Sequence, residues 1–334
     1  MMETTQSRVV RFHEIGSADV LKIESMPISD PGEGEIRIKV QAIGLNRAEI
    51  MFREGQYLEV PEVPCRLGYE ASGIVDAIGE GVSGFSIGDR VSTIPSFSQG
   101  KYGVYGEIAI VPATAVAHYP PNLSATEGTA LWMQYLTAYG GLIEVGHLTA
   151  DHVLLVTAAS SSVGLAATQI AKHIGATVVA ITRGNEKRQP LLDAGADHVI
   201  ATNDADLVES VMSLTNGKGA NLAFDPIGGL MLSQLAEAAT PGGTIIEYGA
   251  LSPEPTVYPL FAALGKGLTV RGYVLFEITT QPEKLAKAKQ FIFDGLESGA
   301  LSPVIDKSFE FKDIADAHRY MESNTQFGKI VVTV

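Results

Sequence analysis

The sequence lacks the features that mark several common protein classes. It has one cysteine in 334 residues, Cys65, which excludes an intrachain disulfide and a cysteine-built structural zinc cluster. No stretch approaches the ~20 consecutive apolar residues of a membrane-spanning helix. Residues 1–11 also lack the basic-then-apolar pattern of an export signal. These absences predict a cytoplasmic protein without a membrane partner.

Positive charge is also scarce. Lys and Arg number 24 against 38 Asp and Glu, which gives a formal net charge of −14. Nucleic acids and acidic membranes bind to basic surfaces, so neither is expected as a main partner. A local basic pocket can still hold the phosphates of an anionic cofactor.

The composition, 46% hydrophobic and 19% charged, is that of a globular protein. A chain of this length usually forms about two domains, because single cores stop growing near 250–300 residues. Residues 35–43 alternate between apolar and polar side chains after a turn at 31–34, which predicts a half-buried strand. Further strands are predicted at 71–75, 90–94 and 107–111. The first part of the chain is therefore predicted to be β-rich.

The pattern changes near residue 124. Ser124 and Glu127 form a predicted capping box that opens a helix running toward Tyr139. Apolar β-branched runs then alternate with helical stretches. Strands are predicted at 152–157, 177–181, 198–200, 222–224, 244–248, 268–270 and 329–334, and helices at 164–174, 186–194 and 282–298. Strands that alternate with helices indicate a doubly wound α/β fold with a parallel sheet.

Residues 154–166 read as a strand, a turn of small residues and the start of a helix. The three glycine positions of a dinucleotide-binding turn are occupied by Ala159, Ser161 and Gly164, so only the last glycine is kept. Backbone N–H groups at the start of the helix can still face phosphates. Phosphate contacts are predicted for Ser160, Ser161, Ser162, Val163 and Gly164. The alternative is an ordinary strand-to-helix turn.

A site that prefers NAD places an acidic residue about 20 residues after this turn. This chain has Thr182 and Arg183 there, with Lys187 and Arg188 one helical turn further on. A guanidinium suits a 2′-phosphate because its planar fork makes paired, charge-assisted hydrogen bonds. The sequence therefore favours NADPH, with a solvated helix face as the alternative for Arg183 and Lys187.

A family resemblance rests on an ordered set of motifs. They are the segments 44–49, 53–57, 68–73, 79–82, 88–91, 136–139, the turn at 158–164, 225–229, 241–243 and 328–331. In this order and spacing the chain resembles the medium-chain dehydrogenases/reductases, specifically the zinc-independent quinone oxidoreductase branch, which includes ζ-crystallin.

The resemblance implies three segments. Residues 1–125 would form a GroES-like catalytic domain, 126–272 a Rossmann NADPH-binding domain, and 273–334 a return segment that completes the first domain. It also implies an active site in the cleft between the domains. A homodimer is implied too, with the strand near Val270 extending the sheet across subunits.

Zinc-dependent alcohol dehydrogenases share this resemblance, and the residue types decide between the two branches. Catalytic zinc takes about three ligands from Cys, His and carboxylates. The matching positions hold Asn46, Tyr69 and Gln134, which are poor zinc ligands, and the cysteine-rich lobe is missing. A residual metal set, Glu49 or Glu70 with His13 or His118, has no supporting spacing. No metal is expected.

Without a metal ion, hydrogen bonds must position the acceptor. Asn46 is expected to donate to a quinone or enone oxygen, with a turn residue as the alternative. Tyr57 lies in an Arg-x-Gly-x-Tyr segment that resembles the stretch of related enoyl reductases carrying a proton-donating tyrosine; loop packing is its alternative. Tyr69 is expected to line the pocket. Glu70 is expected to pair with Arg271 or another base.

The resemblance also implies further cofactor contacts. Thr137 is expected near the nicotinamide with Gln134 holding it, and Gly249 and Ala250 are expected to flank the ribose or nicotinamide. Leu275 and Phe276 are expected to close the cofactor cleft, with core packing as their alternative. Asp225 with Gly228 and Gly229 is expected to shape a turn.

The predicted activity is NADPH-dependent hydride transfer to a small-molecule quinone or to an activated C=C bond, as in an enone or 2-alkenal. Tyr57 favours the C=C reaction slightly, because that reaction needs a proton at carbon. An enoyl thioester reductase is an alternative within the same chemistry. A crystallin-like or RNA-binding protein that keeps its nucleotide site is the alternative from another class.

Overall fold

The computed structural model of the protein describes residues 5–334; the first four residues, part of the segment predicted to lack an export signal, lie outside the described residues. The strands are Thr5–Arg11 (β1), Lys22–Ile28 (β2), Glu35–Gly44 (β3), Glu70–Ile78 (β4), Arg90–Thr93 (β5), Ile108–Pro112 (β6), Val116–His118 (β7), Val153–Val156 (β8), Thr177–Thr182 (β9), His198–Ala201 (β10), Ala220–Asp225 (β11), Ala239–Glu247 (β12), Thr269–Gly272 (β13), Ile305–Glu310 (β14) and Lys329–Thr333 (β15). The α-helices are Arg47–Arg53 (α1), Gln99–Tyr102 (α2), Ala125–Gly128 (α3), Trp132–Tyr139 (α4), Ser162–Ile174 (α5), Arg188–Asp193 (α6), Leu207–Leu214 (α7), Leu230–Ala238 (α8), Leu260–Lys266 (α9), Phe276–Thr279 (α10), Pro282–Ser298 (α11) and Ile314–Glu322 (α12).

The chain forms two compact units. The first takes the residues up to Met133 together with Pro303–Val334, and the second takes Gln134–Ser302. The second unit thus ends at 302, whereas the sequence places the end of the dinucleotide-binding domain at 272. The intervening residues carry α10 and α11, which contact each other, and α11 buries Ala288 and Ile292.

The first unit is β-rich, as predicted. Its main sheet has the order β14-β15-β3-β4-β5-β7, with β6 also paired to β3, and β1 pairs with β2 in a separate two-stranded sheet. The neighbouring strands are antiparallel except for the parallel pair β14 and β15. The alternation in β3 has the predicted effect, because Ile36, Ile38 and Val40 point into the core while Lys39 is exposed.

The second unit contains a six-stranded, wholly parallel sheet in the order β10-β9-β8-β11-β12-β13. Numbered within the unit this order is 3-2-1-4-5-6, the Rossmann arrangement, and it confirms the predicted fold class. The strand order reverses between β8 and β11. Ligands of such sheets bind outside the carboxyl ends of the strands at this reversal, which is where the small-residue turn lies.

One predicted helix is broken in two. The capping box is present, since Glu127 N–H donates to Ser124 Oγ over 3.3 Å and Ser124 N–H donates to Glu127 Oε2 over 2.7 Å. However, α3 ends at Gly128. This glycine lies against the ring of Tyr119, and a Cβ at position 128 would stand 2.8 Å from Tyr119 Cζ. The continuous helix predicted from Ser124 toward Tyr139 is therefore wrong, and α4 starts afresh at Trp132.

Candidate active site and cofactor site

The turn between β8 and α5 has the geometry of a phosphate-binding turn. Ser161 caps α5, its Oγ accepting the Gly164 N–H over 3.0 Å. A Cβ on Gly164 would lie 2.7 Å from both the carbonyl oxygen of Ala158 and the Cα of Ala159, so only glycine lets the helix start this close to the strand. The N-terminus of a 13-residue helix thus begins at the carboxyl edge of the sheet, where its first N–H groups can meet a phosphate.

The side chains at the end of β9 are basic and polar. Lys187 Nζ donates to Ser160 Oγ over 3.0 Å, which joins the predicted 2′-phosphate residue to the predicted pyrophosphate turn. Arg183 follows Thr182 directly, is exposed, and pairs with no carboxylate among residues 5–334. The acidic group in this loop is Glu186, whose carboxylate folds back against Gly184.

A pair of carboxyl groups lies at the ends of two neighbouring strands of the same sheet, β11 and β12. Asp225 is fully buried and accepts the N–H groups of Gly228 over 2.8 Å and Ile227 over 3.1 Å, and the Thr157 hydroxyl also donates to it. It therefore shapes the turn, as expected from the sequence. Glu247 is its register partner, and burial together with the Asp225 charge raises the pKa of Glu247 to about 8.

The other predicted cofactor residues belong to the same unit. Gln134 and Thr137 are buried on α4, and Leu275 is buried directly before Phe276 begins α10. Gly249 and Ala250 are exposed after β12, and a Cβ on Gly249 would lie 2.8 Å from the Pro226 carbonyl oxygen. Their contacts with a cofactor stay predictions.

Asn46 in the first unit is enclosed by charged groups. It precedes α1, and its Oδ1 accepts from Lys329 Nζ over 2.6 Å. Its Nδ2 donates to Glu49 Oε1 and Glu70 Oε2, each over 3.2 Å. Since these contacts use both amide hydrogens, Asn46 must give one up to bind an acceptor oxygen, and its predicted donor role stays a prediction.

Lys329 reaches this network from the C-terminal strand. Its Nζ donates to Glu70 Oε2 over 2.5 Å, and Glu70 Oε1 accepts the Met133 N–H over 2.8 Å. A Cβ on Gly44 would stand 2.9 Å from Lys329 Cε, so the glycine that opens the 44–49 motif makes room for the lysine. The basic partner of Glu70 is thus Lys329, while Arg271 pairs with Glu277 over 2.7 Å.

Glu49 is the second carboxylate of this network and is fully buried. It accepts the backbone N–H groups of Asn46 over 2.7 Å and of Tyr69 over 3.1 Å. Burial raises the pKa of Glu49 to about 7, against the opposing effects of Lys329 and the Asn46 amide. Nothing in the sequence pointed to Glu49 as a member of this network beyond its position three residues after the helix cap Asn46.

The two predicted tyrosines contact each other. Their rings meet edge to face with centroids 6.4 Å apart, and Phe97 lies 5.8 Å from the ring of Tyr69. Tyr69 is buried and Tyr57 is half-buried. Burial raises the pKa of Tyr57 to about 12, although a hydrogen bond from Tyr69 lowers it in part. We call Tyr57, Tyr69 and Phe97 the aromatic wall.

The sequence left Glu49 or Glu70 with His13 or His118 as a possible metal set, but neither histidine pairs with Glu49 or Glu70. His13 lies 2.5 Å from Glu24 and His118 lies 2.9 Å from Asp89. Within residues 5–334, no group of three or more His, Cys, Asp or Glu side chains is arranged to hold a metal ion. In the same range, no helix combines the length and apolar character that crossing a membrane requires.

Two family models match the chain. Residues 32–121 match the alcohol dehydrogenase GroES-like domain, and residues 162–294 match a domain described as zinc-binding dehydrogenase. The second match lies within the parallel-sheet unit, which contains neither Asn46 nor Tyr69.

Among curated proteins, human quinone oxidoreductase is 30% identical over 318 residues, covering 93% of this chain and 92% of the relative. The zebrafish synaptic vesicle membrane protein VAT-1 homolog is 30% identical over 316 residues. That match covers 90% of this chain, which spans only 64% of the relative's length.

Solved structures agree with this grouping. Escherichia coli quinone oxidoreductase complexed with NADPH superposes with a TM-score of 0.90 at 29% identity, covering 98% of this chain and 100% of the other. An NAD-dependent alcohol dehydrogenase reaches a TM-score of 0.88 at 29% identity, with 98% and 99% covered. The family predicted from the motifs is confirmed: the chain belongs to the medium-chain dehydrogenases/reductases, in the zinc-independent quinone oxidoreductase branch.

Proposed function

We propose that this chain is an NADPH-dependent reductase that delivers hydride to a quinone or to an activated C=C bond. The observation that carries the proposal is the join between Lys187 and Ser160, which sets a cation beside the phosphate-binding turn. Arg183 adds a second cation at the end of β9, where an NAD site would present a carboxylate. The E. coli relative solved with NADPH supports the same cofactor.

The described residues fit this cofactor. Gly164 and Gly249 each stand where a Cβ would lie under 3 Å from backbone atoms, so only glycine fits in these two turns after β8 and β12. Ser161 and the first turn of α5 would hold the pyrophosphate, and Arg183 with Lys187 would hold the 2′-phosphate. When bound, NADPH supplies the hydride.

The chain's own contribution to the chemistry is placement of the acceptor and control of a proton. With its pKa near 12, Tyr57 stays protonated at neutral pH and can give its phenol proton to the carbon beside a carbonyl group. A reduced enone needs that proton at carbon, whereas a reduced quinone takes protons on oxygen from water. Tyr57 therefore favours the enone or 2-alkenal over the quinone, and an enoyl thioester fits the same step.

Two finer assignments accompany this function. We propose a homodimer, supported by the position of β13 at the open edge of the parallel sheet and by the exposed apolar side chains of α9. We also propose a cytoplasmic location, which the single cysteine supports.

The deciding experiment follows coenzyme oxidation in the presence of EDTA. NADPH and NADH are each paired with a simple benzoquinone and with a short 2-alkenal. Turnover with NADPH well above that with NADH supports the proposal, and the faster acceptor identifies the reaction. Equal turnover with the two coenzymes overturns the cofactor assignment. No turnover with any pair, despite NADPH binding detected by fluorescence, overturns the acceptor class.

A further inference from the structure

The loop between α1 and β4 exposes a run of apolar side chains. Leu58 is 79% exposed, Val60 76% and Val63 44%. Ile15, which is 57% exposed, lies beside this loop, its Cδ1 being 3.3 Å from the position of a Cβ on Gly55. We call Ile15, Leu58, Val60 and Val63 the apolar rim. Single exposed apolar residues are ordinary, but a cluster of them marks a binding surface.

The rim is held in place. Glu59 turns toward α2, where its carboxylate accepts from Ser98 Oγ over 2.5 Å and from the N–H groups of Gln99 and Gly100, each over 3.2 Å. Leu58 and Val60 flank Glu59 in the chain, and both stay largely exposed while the Glu59 carboxylate is held against α2.

The rim continues from the proposed acceptor site. Leu58 directly follows Tyr57, whose ring packs on Tyr69 of the aromatic wall. Tyr57 is half-buried, so it packs on the wall while part of its surface stays accessible beside Leu58 in the chain. An acceptor whose carbonyl group reaches the Tyr57 hydroxyl would have the rim on the side where its substituents leave the wall.

We propose that the apolar rim binds the hydrocarbon tail of a lipophilic acceptor, so that the preferred substrates are quinones or enones with a long alkyl or prenyl chain. This inference rests on the proposed function. Charge favours such a neutral tail over an anionic lipid surface, because the chain carries a net charge of −14 and Glu59 and Glu62 lie within the loop. The six residues 58–63 span at most about 20 Å, which limits the useful tail length.

The test is a series of 2-alkenals and of alkyl-substituted benzoquinones with increasing tails, assayed with NADPH below their micelle-forming concentrations. For the wild type, kcat/KM is expected to rise up to about four-fold for each methylene that the rim fully buries, and to level off once the tail passes the rim. The double variant Leu58→Ser/Val60→Ser is expected to flatten this slope.

The control is Ile87→Ser, since Ile87 is 71% exposed in the same unit but outside the rim. Its slope is expected to match the wild type, and the melting temperature of each variant checks its folding. A flat wild-type series, or equal flattening in the control, overturns the rim. Binding of the wild type to neutral phosphatidylcholine vesicles together with a flat series would also overturn it, by making the loop a membrane contact. Absence of turnover with the shortest acceptors would instead count against the proposed function.

Discussion

Lys329 Nζ donates to Glu70 Oε2 over 2.5 Å, and both side chains are at most 1% exposed. Removing one partner of a buried ion pair leaves the other charge without compensation, at a cost of about 3–5 kcal/mol. We therefore predict that Lys329→Met lowers the free energy of unfolding by about 3–5 kcal/mol, measured by denaturant titration.

The matched control is Lys312→Met. Lys312 makes an ion pair with Glu310 at the same distance of 2.5 Å, but both side chains are 68% exposed, so this substitution is expected to change stability little. Equal stability losses in the two variants would mean that burial does not set the strength of the Lys329 pair.

Arg183 tests the cofactor assignment. A charge-assisted hydrogen bond to phosphate contributes about 1.5–3 kcal/mol, so Arg183→Ala should raise KM for NADPH about 10- to 100-fold. KM for NADH should stay nearly unchanged, because NADH lacks the 2′-phosphate. The control is Arg188→Ala, since Arg188 donates to the Val199 carbonyl oxygen over 2.7 Å. An equal loss for both coenzymes would contradict the 2′-phosphate role.

Tyr57 separates the two acceptor chemistries. General acid catalysis contributes about 10²- to 10⁴-fold, so Tyr57→Phe should slow 2-alkenal reduction by at least about 10²-fold. Benzoquinone reduction should change only a few-fold, because its protons go to oxygen and can come from water. Tyr258→Phe, at a 54% exposed tyrosine, is the control. If both acceptors react at unchanged rates, Tyr57 only packs the loop.

His318 gives the first unit a dependence on acid. It is fully buried, its Nδ1 accepts from Arg53 over 3.1 Å, and burial lowers the pKa of His318 to about 3. The folded-state pKa of His318 lies below the ordinary value of about 6.5. The neutral imidazole therefore stabilises the fold fully at pH values above about 6.5. This contribution, on the order of 4–5 kcal/mol, is lost as pH falls from about 6.5 toward 3.

The measurement compares the free energy of unfolding between pH 4 and 8 for the wild type and His318→Gln. Glu49 and Glu247 act in the opposite sense, since their raised pKa values stabilise the fold as pH falls, but they are common to both proteins. The difference curve should therefore show the loss of the His318 contribution below pH 6.5. His13→Gln, at an exposed histidine, is the control, and a flat difference curve would contradict the prediction.

Local patterns predicted the parts of this structure that depend on nearby residues. The strand alternation in β3, the bounds of α11 and the strand-turn-helix order at residues 154–166 all follow from residues close in sequence. The break after Gly128 was not predicted, since Gly128 is packed against the ring of Tyr119 and the capping box says only where the helix begins.

The charged network around Asn46 was largely missed for the same reason. Lys329 and Glu70 are separated by 259 positions, and no local period connects them. The sequence identified Asn46 through a family motif and placed it as a free donor. The structure shows an amide already engaged by Glu49, Glu70 and Lys329, a fact that only the packing of the C-terminal strand could reveal.

The apolar side chains of α9 test the proposed dimer. Phe261 is 87% exposed and Leu264 71%, and α9 contacts β12, the neighbour of the edge strand β13. An open strand edge beside an exposed apolar helix is a surface that a second copy can cover, by pairing β13 with β13 and burying α9. We predict that the wild type sediments as a dimer and that Phe261→Asp/Leu264→Asp sediments as a monomer, because each carboxylate would be buried in the interface without a partner.

The control is Leu214→Asp, at a 40% exposed position on α7. This variant should remain dimeric, since α7 precedes β11 and lies apart from the edge strand in the chain. A wild-type protein that sediments as a monomer at micromolar concentration would remove the second copy as the partner of this surface.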